Sequence, residues 1–158
     1  MMDLRFVEQS QRDGCDKDIS YGPDSLTENG VDALYSIAYQ FYQNAHYEDA
    51  ICTFSMLASI APFDKKHWIG LGAARQVHKD FDGALKAYAA AAIIDIDDPT
   101  PHLHAAESYL ALRKPEEALK AIEMAEERAS RAKGDNTPIL ERLAVMKKIW
   151  NETVEEKV

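Results

Sequence analysis

The feature that most constrains this chain is a repeat of 34 residues. Ala50, Ala84 and Ala118 are separated by 34 and 34 positions, and each is followed by an aliphatic residue, namely Ile51, Leu85 and Leu119. A fixed period of this length indicates an array of similar supersecondary units rather than one irregular core. We therefore predict a fold in which each unit packs mainly against its neighbours.

Four further sets of positions follow the same period. They hold apolar side chains of matched or graded size, namely Ile37, Leu71 and Ala105; Ala38, Gly72 and Ala106; Phe54, Tyr88 and Ile122; and Leu57, Ala91 and Ala125. In the middle unit, the order of large and small residues resembles that of the tetratricopeptide repeat, a pair of antiparallel helices. Small residues let the two helices approach closely, while bulky residues fill the space between their turns.

Helix start and stop signals predict where these pairs begin and end. Asp64 and Asp80 are predicted N-caps, and Pro115 suits a first helical turn. The predicted helices cover about residues 26–44 and 47–60, 65–78 and 81–95, then 100–112 and 115–131. The predicted fold class is all-α, an α-solenoid of three tetratricopeptide-like pairs whose first helices line a concave wall.

A seventh helix is predicted after the repeats. Ile139, Leu143, Met146 and Trp150 follow helical spacings of 4, 3 and 4 residues. This helix is expected to cap the array, because an unpaired terminal repeat would leave its apolar face in water. The tail from Asn151 onward is predicted to be frayed.

The chain is thus predicted to have three parts. The first is polar and is expected to be a flexible arm or, alternatively, a segment that becomes ordered in a dimer. The parts are an arm at 1–24, three repeats at 25–132 (about 31–64, 65–98 and 99–132), and a capping helix with a frayed tail at 133–158.

The charge of the chain restricts its partners. Its 18 basic and 27 acidic residues give a formal net charge of −9. Nucleic acid and anionic membranes are therefore poor partners, because both are bound through an excess of Lys and Arg. The first residues lack the apolar core of a secretory signal, and no segment is long enough to span a bilayer. A cytoplasmic location is expected.

The first helix of each pair presents one face toward the predicted groove, through positions three to four residues apart. These positions hold Tyr35, Tyr39 and Tyr42; Ile69, Ala73 and Gln76; and Leu103, Glu107 and Leu110. Tyrosine offers a large apolar contact at small entropic cost. The pattern predicts a peptide-binding groove that is aromatic at one end and aliphatic further along. Alternatively, the tyrosines pack against the N-terminal segment or lie in a dimer interface.

No arrangement typical of catalysis is found in the sequence. His102 and His104 lie about 200° apart around a helix and cannot share a metal ion. The acidic turn at 95–98 is interpreted as solvated carboxylates, with loose cation binding as the alternative. Phosphate-binding loops and nucleophile elbows are missing. We therefore predict no catalytic residue, no metal, no cofactor and no enzyme activity.

Several segments resemble one family more closely than tetratricopeptide repeats in general. They are LYSIAYQFYQ at 34–43, YEDA at 47–50, GLGAARQ at 70–76, DIDDP at 95–99 and HAAE at 104–107. Together they resemble the class II chaperones of bacterial type III secretion, the LcrH/SycD family. The resemblance covers about residues 26–132.

This resemblance implies a cytoplasmic bacterial chaperone for the hydrophobic translocator proteins of type III secretion. In that family an extended translocator segment lies in the concave groove, and its aromatic contacts carry over to Tyr35, Tyr39 and Tyr42. The resemblance also implies a homodimer formed through the N-terminal region and first repeat. A transcriptional regulator is a further partner of some unloaded family members.

Two other functions are weighed against this one. A generic tetratricopeptide scaffold or co-chaperone adaptor would clamp a C-terminal carboxylate with Lys, Arg and Asn. The nine groove positions contain none of these residues, which disfavours a clamp. A helical enzyme would reveal itself by turnover or by a stoichiometric transition metal.

Overall fold

The computed structural model describes residues 27–155, with side chains as far as Glu152. This stretch contains seven helices and no strand, which confirms the all-α fold class. They are α1 (Glu28–Gln43), α2 (Tyr47–Ile60), α3 (Lys65–Val77), α4 (Phe81–Ile94), α5 (Thr100–Ala111), α6 (Pro115–Arg131) and α7 (Thr137–Glu155). The arm predicted at 1–24 lies outside the described residues.

Side-chain caps fix several of the helix starts. Asp64 accepts a hydrogen bond from the Lys66 amide at 3.1 Å, and Asp80 accepts one from the Gly83 amide at 3.0 Å, so both predicted N-caps are confirmed. At the first helix the N-cap is Thr27 and the helix begins at Glu28, two residues later than the predicted start at residue 26. The last helix continues to Glu155, which is four residues past the point at which fraying is predicted to begin.

The turn inside each helix pair has the same backbone form three times. Ala45, Lys79 and Arg113 stand 34 residues apart and adopt positive φ angles of 62°, 67° and 58°. In each turn the residue after the positive φ donates its amide hydrogen to a carbonyl five residues earlier, for example Asp80 to Arg75 at 2.9 Å. This is the Schellman arrangement that ends a helix, in which glycine is the favoured residue.

We expect Lys79→Gly to stabilise the protein. A residue with a Cβ is strained in the left-handed region, and glycine removes that strain while losing more backbone entropy. The net gain is about 0.5 to 1 kcal/mol in the free energy of unfolding, measured by urea denaturation. Lys86→Gly is the matched control, because Lys86 is also exposed but lies inside α4. It is expected to destabilise by about 1 kcal/mol. Similar losses for both variants would contradict the prediction.

The helices form a curved array with the first helices on the inner side. Each helix packs against the next one in the chain, and α1, α3, α5 and α7 also contact one another in sequence. The second helices α2, α4 and α6 make less contact with one another. The inner side of the array is therefore the row formed by α1, α3 and α5.

Small residues allow this close packing, as their period predicted. Ala38, Ala50, Ala84, Ala106 and Ala118 are all fully buried. A Cβ atom added at Gly72 would overlap the ring of Tyr88, and one added at Gly70 would overlap the ring of Phe54. The rings of Phe54 and Tyr88 thus each lie against a position of α3 that has no side chain.

Candidate peptide-binding groove

The inner row begins with an exposed aromatic surface on α1. The Tyr39 side chain is 48% exposed. Its ring is stacked on that of Tyr42, with centroids 6.5 Å apart and an interplanar angle of 24°. Tyr42 in turn meets the ring of Tyr47 edge-on at 6.0 Å, which fixes its orientation from α2. The two tyrosines therefore present a preformed aromatic surface at the first repeat.

Tyr35 lies in a different environment. Its ring meets that of Phe54 edge-on at 5.8 Å and lies 5.9 Å from the His67 ring, so it belongs to the junction between the first two pairs. The Lys66 ammonium lies 5.2 Å from the centroid of the Tyr35 ring, which is a cation–π contact. Tyr35 thus packs against the second repeat, and it is a weaker candidate than Tyr39 for direct contact with a peptide.

A buried histidine, His67, packs beside the Tyr35 ring. His67 is fully buried, and its Nδ1 atom lies 3.2 Å from the Ala61 carbonyl oxygen. Burial lowers the pKa of the His67 imidazole, and this effect outweighs the hydrogen bond to Ala61 and the charge of Asp64. The imidazole is therefore neutral near pH 7 and donates from Nδ1. This role was not predictable from the sequence, since His67 lies near a helix start.

A polar network occupies the far half of the inner row. Tyr88 donates a hydrogen bond from its hydroxyl to Gln76 Oε1 at 2.7 Å, and Gln76 donates from Nε2 to Glu107 Oε2 at 3.2 Å. Glu107 Oε2 also lies 3.1 Å from His104 Nδ1. The other carboxylate oxygen, Glu107 Oε1, is paired with Arg142. This network joins α3, α4, α5 and α7, so it links two repeats to the capping helix.

Glu107 is held ionised in this network. Burial opposes the charged form, but hydrogen bonds from His104 and Gln76 and the charge of Arg142 outweigh it and lower the pKa of the Glu107 carboxyl. His104 is also stacked on the Tyr88 ring, with centroids 5.4 Å apart. The far end of the groove therefore carries a fixed negative charge, although sequence analysis predicted an aliphatic character there.

The remaining predicted groove positions differ in their accessibility. Ile69, Ala73 and Leu110 are partly exposed. Leu103 is only 4% exposed and packs in a cluster with Leu143 and other residues of α6 and α7. The prediction that Leu103 is an accessible groove contact is therefore wrong, because the capping helix covers that side of α5.

The acidic turn at 95–98 is occupied by a lysine from the same helix pair. Lys65 Nζ lies 2.6 Å from Asp95 Oδ2 and 2.7 Å from Asp98 Oδ2. Asp98 also accepts a hydrogen bond from the Thr100 amide at 2.8 Å, at the start of α5. The interpretation of these acids as purely solvated is therefore wrong, since two of them tie the start of α3 to the turn after α4.

The chain is similar to known proteins in both sequence and structure. No protein-family model matches the chain. The low calcium response locus protein H of Yersinia pestis is 35% identical over 102 residues, which are 65% of this chain and 61% of that protein. The chain therefore spans less than two thirds of the length of the curated relatives it matches.

Two solved structures match over more of their length. The translocator chaperone SycD of Yersinia enterocolitica, in an alternative dimer, is 30% identical, with a TM-score of 0.77 over 82% of this chain and 97% of that one. The chain belongs to the family of type III secretion translocator chaperones. SycD in complex with a peptide of the translocator YopD matches with 30% identity and a TM-score of 0.75, over 80% of this chain and 96% of that one.

Membership of the type III secretion translocator chaperones confirms the family predicted from the sequence. None of the helices within 27–155 is long and apolar enough to cross a membrane.

Proposed function

We propose that this chain is a cytoplasmic chaperone that holds an extended segment of a hydrophobic translocator along its inner row of helices. The observation that carries the proposal is the stacked pair at the start of that row, formed by the half-exposed Tyr39 and the partly buried Tyr42. It is supported by SycD, a family member of the same fold whose structure contains a translocator peptide. The chaperone works by binding alone and needs no catalytic group, metal or cofactor.

The contact surface changes in character along the row. The two stacked tyrosines provide apolar area that needs little further ordering on binding. Ile69 and Ala73 continue the apolar surface on α3, and Gln76, Glu107 and Leu110 provide a mixed surface beyond it. A segment held here is withdrawn from water, and binding lowers the concentration of the aggregation-prone free translocator by mass action.

The carboxylate-clamp alternative is disfavoured by the charges that border the groove. Lys66 is paired with Asp64 at 3.2 Å and Asp32 at 3.3 Å, and Arg142 is paired with Glu107. In the empty chaperone both cations are therefore engaged by carboxylates of the chain itself. A peptide with an amidated C-terminus is expected to bind as well as one with a free carboxylate.

Other parts of the function remain proposals about the whole protein. The domain plan assigns dimerisation to the arm at 1–24 together with the first repeat, the repeats at 25–132 to client binding and the remainder to capping. A transcriptional regulator is the proposed partner of the unloaded form. The dimerisation and regulator assignments come from the family resemblance, whereas the bounds of the repeats and of the cap come from the spacing of apolar residues.

The test of this function is co-expression with a translocator of the same secretion system. Replacing Tyr39 and Tyr42 with Ala is expected to weaken the soluble complex on the order of 100-fold, because aromatic contacts of this kind contribute about 1 to 2 kcal/mol each. Tyr35 is left unchanged, since it packs in the junction between repeats. The readouts are the yield of co-purified translocator and the dissociation constant of its bound peptide.

The matched control is Phe63→Ala, which removes an exposed aromatic ring from the turn between α2 and α3. This variant is expected to bind like the wild type. Circular dichroism checks that both variants remain folded. Unchanged binding by a folded double variant would contradict the groove assignment.

A further inference from the structure

Glu107 differs from the other eight predicted groove positions in carrying a charge. It belongs to the same 34-residue set of positions as Tyr39 and Ala73, and therefore lies on the face that the proposed client crosses. Its carboxylate is held from within the array by Gln76 and His104, both bonded to Oε2. Its side chain is 17% exposed, so the charge is fixed in place yet reachable from the groove.

The cation that neutralises Glu107 is held less firmly. Arg142 comes from α7, which is outside the repeats, and its side chain is 56% exposed. An ion pair with such an exposed partner contributes little to stability, because water screens it and the long side chain loses entropy. The arginine can therefore exchange with another cation at small energetic cost, while the carboxylate stays in position.

We propose that Glu107 is a recognition site for a Lys or Arg side chain of the extended client, and that Arg142 occupies this site when the chaperone is empty. The inference rests on the proposed function, because it assumes that the client lies along the inner row. Charge complementarity supports it, since a cationic group on the client meets a chain with a formal net charge of −9.

The geometry predicts where the client's cation lies. Packed helices stand about 9 Å apart, so the first helices of the first and third repeats are separated by about 18 Å. An extended chain advances about 3.3 Å per residue, so this span takes about five or six residues. The client's basic residue is therefore expected about five or six positions from the residue that contacts Tyr39.

Selection from a phage-displayed library of random peptides of about twelve residues tests this inference, since an extended peptide of that length spans the row. Three immobilised proteins are compared: the wild type, Glu107→Gln and Arg142→Met. Wild type is expected to enrich apolar anchors together with Lys or Arg at the stated spacing. Glu107→Gln is expected to enrich the anchors without the cation, and Arg142→Met to enrich the cation more strongly.

The effect is then measured with two synthetic copies of one enriched peptide, one of which has norleucine in place of its basic residue. For the basic peptide, Arg142→Met is expected to bind about threefold more tightly than the wild type, and Glu107→Gln about tenfold more weakly. The norleucine peptide is expected to bind all three proteins alike. High salt is expected to weaken the binding of the basic peptide only.

Lys148→Met is the control for Arg142→Met, since Lys148 also lies on α7 but is paired with Glu152.

The outcomes separate this inference from the proposed function. Enrichment of apolar anchors without a basic residue in the wild type would overturn the cation site and leave the groove assignment standing. Failure of the wild type to enrich any common peptide pattern would overturn both. Equal affinities of the basic peptide for wild type and for a folded Glu107→Gln variant would also overturn the cation site.

Discussion

Replacing Tyr88 with Ala is expected to lower the free energy of unfolding by about 4 kcal/mol, close to the range known for large aromatic residues in cores. The Tyr88 side chain is 1% exposed and is among the largest buried groups of the described residues. Its ring lies against Gly72, which has no side chain to move into the cavity. Since natural domains have about 5 to 15 kcal/mol of stability, this loss is a large fraction of the total.

The loss is measured by urea denaturation, followed by circular dichroism, and by a fall of about 10 °C in the melting temperature. Tyr88→Phe is the matched control, because it keeps the ring and removes only the hydrogen bond to Gln76. The free energy of unfolding of Tyr88→Phe is expected to be about 1 kcal/mol lower than that of the wild type. Equal stabilities of the Ala variant and the wild type would show that the ring does not fill the junction between α3 and α5.

Replacing Leu143 with Ala is expected to destabilise the capping helix by about 3 kcal/mol. Leu143 is fully buried in the cluster that contains Leu103, Ile122 and Met146. Among the described helices, α7 packs mainly against α6 and α5. We expect it to open below the free energy of global unfolding. Amide hydrogen exchange is expected to show faster exchange in α7 than in α3 and α4.

Leu140→Ala is the control on the same helix, since Leu140 is 40% exposed. A loss below about 1 kcal/mol is expected for it, because most of the side chain already contacts water. Equal small losses in the free energy of unfolding for Leu143→Ala and Leu140→Ala would show that the capping helix does not depend on its buried side chains. Opening of α7 would also separate Arg142 from Glu107, so the Leu143 variant is expected to expose the carboxylate of the groove.

The two predictions concern opposite ends of one polar network. Tyr88 orients Gln76, and α7 supplies Arg142, while Glu107 lies between them on the inner row. Stability and client contact are therefore coupled in the second half of the array. At the first repeat, stability and client contact depend on different residues to a larger extent, since Tyr39 is half-exposed and adds little to the core.

The helices of this protein follow closely from its sequence. The 34-residue period predicted the three pairs, and the predicted bounds of α2 and α6 agree with the structure at both ends. Asp64 and Asp80 were identified as caps because capping depends on neighbours a few residues away. The positive φ at Lys79 was missed, since lysine carries no signal for a left-handed turn. Its place in the repeat was the only available indication.

The groove was less predictable, because periodicity tells which residues share a helix face but not what covers that face. Tyr35, Tyr39 and Tyr42 were grouped by spacing, and the structure assigns Tyr35 to a junction with Phe54 and His67. The contact of Gln76 with Glu107 joins residues 31 positions apart, and it depends on how α3 and α5 lie side by side.

The sequence by itself determined that this chain forms repeated helix pairs with small residues at their contacts, since those features depend on spacing along the chain. Only the tertiary structure decided which groove positions stay accessible. The capping helix buries Leu103 and brings Arg142 to Glu107, and neither result is encoded in the period of the repeats. The reason is physical: a residue's burial and charge partners depend on every element packed around it, whereas its helical face depends only on its neighbours in sequence.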